Sequence, residues 1–149
     1  MKIIIADASC LITLENINET DLLPKLYEHI VVTPEVADEV GSSLPEWVDQ
    51  RPSSNHTLID QLSSSLEIGE ATSIALALEL GDCLLIIDEK KGRRTARELG
   101  IEITGTFGVV MTGIESGFIA EPDTIVERLE RAGFRISDNL KERMRSKIH

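Results

Sequence analysis

Two aspartates stand directly after short aliphatic runs, and they are the first candidates for chemistry. Asp7 follows the run "KIIIA" and Asp88 follows the run "CLLII". Continuous aliphatic runs of this length are typical of buried strands in a parallel sheet. Because ligands bind at the edge where the carboxyl ends of parallel strands meet, we expect both carboxylates to face one crevice. Either aspartate alone could instead cap the helix that follows it.

Glutamates in two helical segments add to this acidic set. The segment "PEVADEV" places Glu35 and Glu39 on one helical face, and "GEATSIALA" places Glu70 in the first turn of an apolar helix. Solvation, or for Glu70 an interaction with the helix dipole, is the simpler explanation of each one. Together with the two aspartates they suit a hard cation such as Mg²⁺ or Mn²⁺. None of the three histidines has the spacing of a zinc site.

The elements that would position these acids alternate between strands and helices. Strands are predicted at 2–6, 30–33, 83–87 and 101–104. Helices are predicted at 9–16, 20–29, 34–40, 67–81, 89–100, 106–117, 121–133 and 137–148. The alternation predicts an α/β fold: a three-layer α/β/α sandwich around a central, mainly parallel sheet of four to five strands.

Other segment-level features complete the predicted organisation. Residues 1–149 are expected to form one domain, which ends in a C-terminal helix within 136–149. The stretch 42–57 is rich in serine and proline, which predicts a long mobile surface loop in which Trp47 is an anchor. Ser9 is the predicted cap of the first helix.

The charge balance limits how the protein could bind nucleic acid. The formal net charge is −11, from 26 acidic and 15 basic residues. This argues against binding by bulk electrostatics, but not against binding through a divalent ion at the contact point. The segment after Asp88 is basic, and it either contacts flanking phosphates or forms a solvated helix face that pairs with nearby glutamates. Its cations are Lys90, Lys91, Arg93, Arg94 and Arg97.

The sequence predicts a cytoplasmic protein without membrane contact. No apolar run approaches the roughly 20 residues that a spanning helix needs. Asp7 interrupts the N-terminal apolar run, which is therefore unlike a signal peptide. The two cysteines, Cys10 and Cys83, lie among aliphatic residues and are expected to be buried free thiols in a reducing compartment.

The ordered acidic motifs resemble those of the PIN-domain ribonucleases. The motifs are "IIADAS", "PEVADEV", "GEATSIALA" and "LLIIDEKKGRRTARELG", followed by "ITGTFGVV". They look most like the VapC-like subfamily with the GEAxxIALA signature, and the resemblance extends from Lys2 to about Ala132. It implies a PIN-like fold and metal-dependent hydrolysis of RNA phosphodiester bonds, with Mg²⁺ or Mn²⁺ as cofactor.

The resemblance also implies roles for individual residues and partners. The carboxylates that would coordinate one or two metal ions are Asp7, Glu39, Glu70 and Asp88, and Glu70 stands where many relatives carry aspartate. Small hydroxyl positions that flank the site match Ser9 and Thr106, while Glu35 and Glu89 are acids of lower rank. The implied partners are single-stranded or structured RNA, a second copy in a homodimer and, if the protein is a toxin, a small antitoxin.

Three other functions are alternatives. Two of them require motifs that this sequence lacks, and the third has the same motifs but no catalytic activity. A phosphoryl-accepting receiver domain would have two acids after its first strand and a lysine after a late strand, and "IADAS" and "IEITGT" supply neither. A phosphatase with an aspartate nucleophile would show D-x-D, whereas Asp7 is followed by Ala8 and Ser9. The serious rival is a PIN fold that binds nucleic acid or regulates without cutting it.

Overall fold

The central sheet has five strands in the computed structural model, which describes residues 2–41 and 44–147. The strands are β1 (Ile3–Ala6), β2 (His29–Val32), β3 (Val48–Gln50), β4 (Cys83–Ile86) and β5 (Ile103–Thr104). Their order is β3-β2-β1-β4-β5, and every adjacent pair is parallel. β1 and β4 are neighbours in which Ala6 pairs with Ile86.

Helices connect the strands and cover both faces of the sheet. In the described part of the chain they are α1 (Ala8–Asn16), α2 (Leu22–Leu26), α3 (Pro34–Val40), α4 (His56–Leu62), α5 (Ile68–Leu80), α6 (Lys90–Glu98), α7 (Thr106–Glu115), α8 (Pro122–Arg131) and α9 (Asp138–Ser146). None of them is long and apolar enough to cross a membrane.

Side-chain alternation along the strands divides the interior into two cores. Ile4 and Ile30 point to one face, where α1, α2, α7, α8 and α9 contribute most of the buried helical residues. Ile5 and Val31 point to the other face, which α5 and α6 cover. Successive strand residues face opposite sides, so β1 needs apolar residues at consecutive positions. This is the predicted three-layer α/β/α sandwich, and the sheet is wholly parallel.

The stretch 42–57 is more regular than predicted. Residues 42 and 43 lie outside the described residues, but Val48–Gln50 forms edge strand β3 and α4 begins at His56. The predicted loop is therefore interrupted by a strand at Val48–Gln50 and ends where α4 begins. Asp49 and Gln50 are exposed on the edge strand, so the sequence lacks the apolar run that indicates a buried strand. Trp47 does pack against the first core, as an anchor would.

Other predicted boundaries need smaller corrections. The helix predicted at 20–29 is only Leu22–Leu26, because the chain enters β2 at His29. The C-terminal helix runs over Asp138–Ser146, and residues 148 and 149 lie outside the described part. Cys10 and Cys83 are buried free thiols, as expected.

Candidate active site

The sheet delivers Asp7 and Asp88 to the same edge. Asp7 follows β1, and its N–H donates to the Ile86 carbonyl oxygen of β4 at 3.0 Å. Asp88 lies two residues beyond the end of β4. Because β1 and β4 are paired neighbours, both carboxylates line one cavity of about 540 Å³. The two aspartates therefore share a crevice, as their positions in the sequence predict.

Most of the cavity lining is acidic. Six of its lining residues are carboxylates, namely Asp7, Glu39, Glu67, Glu70, Asp88 and Glu89. The other lining residues in the described part are Ser9, Ser65 and Lys91. The cavity thus brings together the four acids singled out in the sequence, whereas Glu35 is not among its lining residues. Glu67 and Ser65 were missed, because the turn before α5 carries no pattern that predicts where it packs.

Asp7 both caps α1 and faces the cavity. Its Oδ1 accepts a hydrogen bond from the Ala8 N–H at 2.9 Å, which makes Asp7 the N-cap. The prediction of Ser9 as cap is wrong: Ser9 lies in the first turn of α1 and donates from Oγ to Asp88 Oδ2 at 3.1 Å. The helix cap and a cavity-lining acid are thus the same residue, since only one carboxylate oxygen is needed at the helix start.

Asp88 is held by donors from two helices. The Thr106 N–H donates to Oδ1 at 2.7 Å, and the Thr106 hydroxyl donates to Oδ2 at 2.5 Å. With Ser9 this makes three donors, and Thr106 itself is fully buried at the start of α7. Ser9 and Thr106, the two predicted hydroxyl positions, therefore fix the carboxylate of Asp88 in position.

Burial beside other acids raises the pKa of Asp7 to about 7. Only 5% of the residue is exposed, and removal from water is the largest cause of the shift. The charges of Glu70, Glu39 and Asp88 raise the pKa further, while the hydrogen bond from the Ala8 N–H opposes the rise. Asp7 thus carries a proton at neutral pH more often than an ordinary aspartate.

Glu70 is in a similar environment at the start of α5. One of its oxygens accepts a hydrogen bond from the Glu67 N–H at 3.2 Å, which ties the side chain to the helix start. Burial raises its pKa, and the nearby charges of Glu89, Glu67 and Glu39 contribute in the same direction. An added positive charge in the cavity would relieve these costs for both buried acids.

A glycine in α5 lies beside two of the acids. A Cβ on Gly69 would lie 3.4 Å from Glu39 Oε1 and 3.8 Å from Asp7 Oδ1. The helix backbone therefore passes directly beside both carboxylates. The sequence contains one signal of this approach, since a glycine inside a helix costs about 1 kcal/mol relative to alanine and needs a reason.

Two more glycines flank the other acids. A Cβ on Gly92 in α6 would lie 3.2 Å from Glu70 Oε2, and a Cβ on Gly105 would lie 2.9 Å from Asp88 Oδ1. Close approach of the backbone, rather than a turn, explains why glycine stands at both positions, because neither residue has a positive φ. Like Gly69, these glycines were missed as part of the site.

The cations of α6 fall into three groups. Lys91 lines the cavity. Arg93 is half-buried and donates from Nη1 to the Ile87 carbonyl oxygen at 2.8 Å. The remainder, Lys90, Arg94 and Arg97, is exposed to solvent and forms no ion pair within the described residues. The exposure is that of a solvated helix face, but the predicted pairing with glutamates is not formed. Glu89 instead caps α6 by accepting a hydrogen bond from the Gly92 N–H at 2.9 Å.

The donor chemistry of the cavity fits a divalent cation. All four candidate ligands are carboxylates, and Mg²⁺ and Mn²⁺ prefer oxygen donors. Glu39 Oε1 and Asp7 Oδ1 both lie near Gly69, at 3.4 Å and 3.8 Å from the position that a Cβ on this residue would take. Over residues 2–41 and 44–147, however, no three His, Cys, Asp or Glu side chains converge as a finished metal site. Repulsion between ionised carboxylates favours their separation until a cation lies among them.

Comparison with known proteins gives one family match. The family model DUF3368, described as a PIN domain, matches residues 3–149. Comparisons with curated proteins and with solved structures give no significant match. PIN domains are commonly nucleases that act on nucleic acid and use divalent metal ions, which suits a carboxylate cavity at the edge of a parallel sheet. By this match over nearly its whole length, the chain belongs to the PIN-domain family.

Proposed function

We propose that the protein is a Mg²⁺- or Mn²⁺-dependent ribonuclease that hydrolyses RNA phosphodiester bonds. The observation that carries the proposal is the acidic cavity, which collects carboxylates from β1, α3, α5 and the end of β4. The residues proposed as metal ligands and catalytic carboxylates are Asp7, Glu39, Glu70 and Asp88. Membership of the PIN-domain family supports nuclease activity in general. The choice of RNA rests on the resemblance to PIN-domain ribonucleases.

The proposed reaction needs no covalent attachment to the protein. The oxygen of a water molecule bonds to phosphorus, the bond from phosphorus to the leaving ribose oxygen breaks, the water gives up a proton and the leaving oxygen gains one. A bound divalent ion supplies a more acidic water and positive charge for the phosphate. The protein's part is to hold the carboxylates, and Asp88 is already oriented by Ser9 and Thr106.

Cations outside the cavity would hold the rest of the RNA strand. Lys90, Arg94 and Arg97 are exposed on α6, immediately after Asp88 in the chain. Their charges are not neutralised by ion pairs among the described residues. In a chain of net charge −11, such a local basic surface is the part best suited to phosphates that flank the cut.

A second candidate is a PIN-fold module that binds nucleic acid or regulates without cutting. It is favoured by the arrangement of the acids, which do not converge as a finished metal site within the described residues. Both carboxylate oxygens of Asp88 already accept hydrogen bonds from Ser9 or Thr106. A direct measurement of cleavage and of metal binding separates the two candidates.

The test compares cleavage of a single-stranded RNA with Mn²⁺ and with EDTA. We expect the wild-type protein to cut only with the metal, and Asp7→Asn and Asp88→Asn to lose this activity. Asp60→Asn is the matched control, because Asp60 is an exposed aspartate of α4 outside the cavity. Cleavage that survives in both cavity variants would reveal a contaminant. Absence of both cleavage and Mn²⁺ binding by calorimetry would instead support the binding module.

The roles expected for the VapC-like subfamily extend this proposal. They are action as the toxin of a toxin–antitoxin pair, inhibition by a small antitoxin, assembly as a homodimer and residence in the cytoplasm. Growth arrest on expression that requires Asp7, and is relieved by a small adjacent gene product, would support the toxin role. Sedimentation would test the homodimer. Normal growth at high expression of active protein would argue against a toxin.

A further inference from the structure

We propose that Lys91 is a catalytic residue that contacts the scissile phosphate, with a role separate from the cations that hold flanking phosphates. This inference rests on the proposed ribonuclease function and assigns one further residue of the same cavity. It divides the basic segment of α6 by position, which neither the sequence pattern nor the family match does.

The position of Lys91 distinguishes it from its neighbours. It is the second residue of α6, and among the described residues that line the cavity it is the one cation. The next residue, Gly92, is buried, and its backbone lies close to Glu70 Oε2. The backbone that carries Lys91 therefore passes beside the carboxylates. Lys90 and Arg94 do not line the cavity.

The ammonium group of Lys91 is available to a ligand. It takes part in no ion pair within residues 2–41 and 44–147, although six carboxylates line the same cavity. Its closest acidic neighbour in sequence, Glu89, is engaged by the Gly92 N–H at the start of α6. Lys91 can therefore turn to a phosphate oxygen without breaking an ion pair to this carboxylate.

Placement in the cavity determines what this charge can do. Negative charge increases on the oxygens of the phosphate as hydrolysis proceeds, and a cation at those oxygens binds the transition state more tightly than the ground state. Such a contact raises kcat. A cation that holds a distant phosphate binds both states equally, so its loss raises KM and leaves kcat unchanged.

The experiment uses the full chain and one single-stranded RNA oligonucleotide with Mn²⁺. Lys91→Met removes the charge and keeps the aliphatic stem, while Lys91→Arg restores the charge. Lys90→Ala is the comparison for a flanking contact, and Arg135→Ala is the control, because Arg135 is an exposed cation between α8 and α9. Each variant is measured for kcat, KM and, by calorimetry without RNA, Mn²⁺ affinity.

We expect Lys91→Met to lower kcat by about 10²- to 10³-fold, the range for loss of one transition-state donor, with little change in KM and no loss of Mn²⁺ affinity. Lys91→Arg should recover part of kcat. Lys90→Ala should raise KM without lowering kcat, and Arg135→Ala should match the wild type. An unchanged kcat in Lys91→Met, or the same loss in Lys91→Arg as in Lys91→Met, would overturn the assignment. A wild-type protein that cuts no RNA would reject the ribonuclease function itself, and Lys91 with it.

Discussion

Replacing Asp7 with asparagine should stabilise the metal-free protein at high pH while it abolishes the proposed activity. The physical reason is the cost of ionising a buried carboxyl beside other acids, which raises the pKa of Asp7 from 3.8 to about 7. Asparagine has nearly the same shape, carries no charge and is an equally good N-cap, so it can still accept the hydrogen bond from the Ala8 N–H. The variant removes the charge and keeps the helix start.

The direction in which stability changes with pH follows from proton binding in the folded and unfolded states. Below about pH 4 the carboxyl of Asp7 is protonated in both states, so it does not change the free energy of unfolding relative to asparagine. Between about pH 4 and pH 7 the unfolded chain releases a proton that folded Asp7 retains, so the stability of the wild type falls as pH rises. Above pH 7 the Asp7 carboxyl is ionised in both states, and the folded state carries the full cost of its burial. At 1.36 kcal/mol per pKa unit, this cost is at most about 4 kcal/mol.

The assay is urea unfolding of the wild type and Asp7→Asn in EDTA, at several pH values from 5 to 8.5. The advantage of the variant should grow from about 1.5 kcal/mol at pH 5 to about 4 kcal/mol at pH 8.5, and should level off above pH 7. In a chain of this length the larger value corresponds to roughly 10 °C in Tm. Asp60→Asn should show no such growth. A difference between wild type and Asp7→Asn that is independent of pH would refute the reasoning.

Three further predictions concern the surroundings of the acids. Mn²⁺ at 100 times its Kd should stabilise the wild type by about 2.7 kcal/mol in a thermal unfolding assay, and an unchanged Tm would argue against a metal site. Thr106→Val should lower the free energy of unfolding by about 1 to 3 kcal/mol, because Asp88 loses its shortest hydrogen bond. Thr106→Ser keeps the hydroxyl and should restore most of this free energy. Equal losses of stability in the two variants would contradict this account. Gly92→Ala should cost about 1 to 3 kcal/mol in urea unfolding, since the new methyl would lie 2.7 Å from Ile87 Cδ1, and a neutral effect would contradict the close packing.

Much of the architecture could be predicted because it follows from local patterns. Continuous aliphatic runs identified β1 and β4, and the helical segment 34–40 matches α3 to the residue. The edge strand β3 could not be predicted in this way. Its register depends on pairing with β2, where Val48 lies opposite Ile30, and its own side chains are mostly exposed.

The candidate site was likewise predictable only in part. Strand ends were sufficient to bring Asp7 and Asp88 together, and the resemblance to PIN-domain ribonucleases added Glu39 and Glu70. All four line one cavity. The order of the motifs was also sufficient for the PIN-domain resemblance, which the family match confirms. Their roles as metal ligands remain a proposal.

What the sequence by itself determined is which acids reach the edge of the sheet, because the strands that carry them are encoded by their own apolar residues. Only the tertiary structure decided how their surroundings differ. It placed Lys91 in the cavity and Arg93 against the Ile87 carbonyl, two residues apart on one helix. The physical reason is that such contacts depend on the packing of α6 against α5 and β5, and on close backbone approaches at Gly92 and Gly105. Neither is encoded in the periodicity of a single segment.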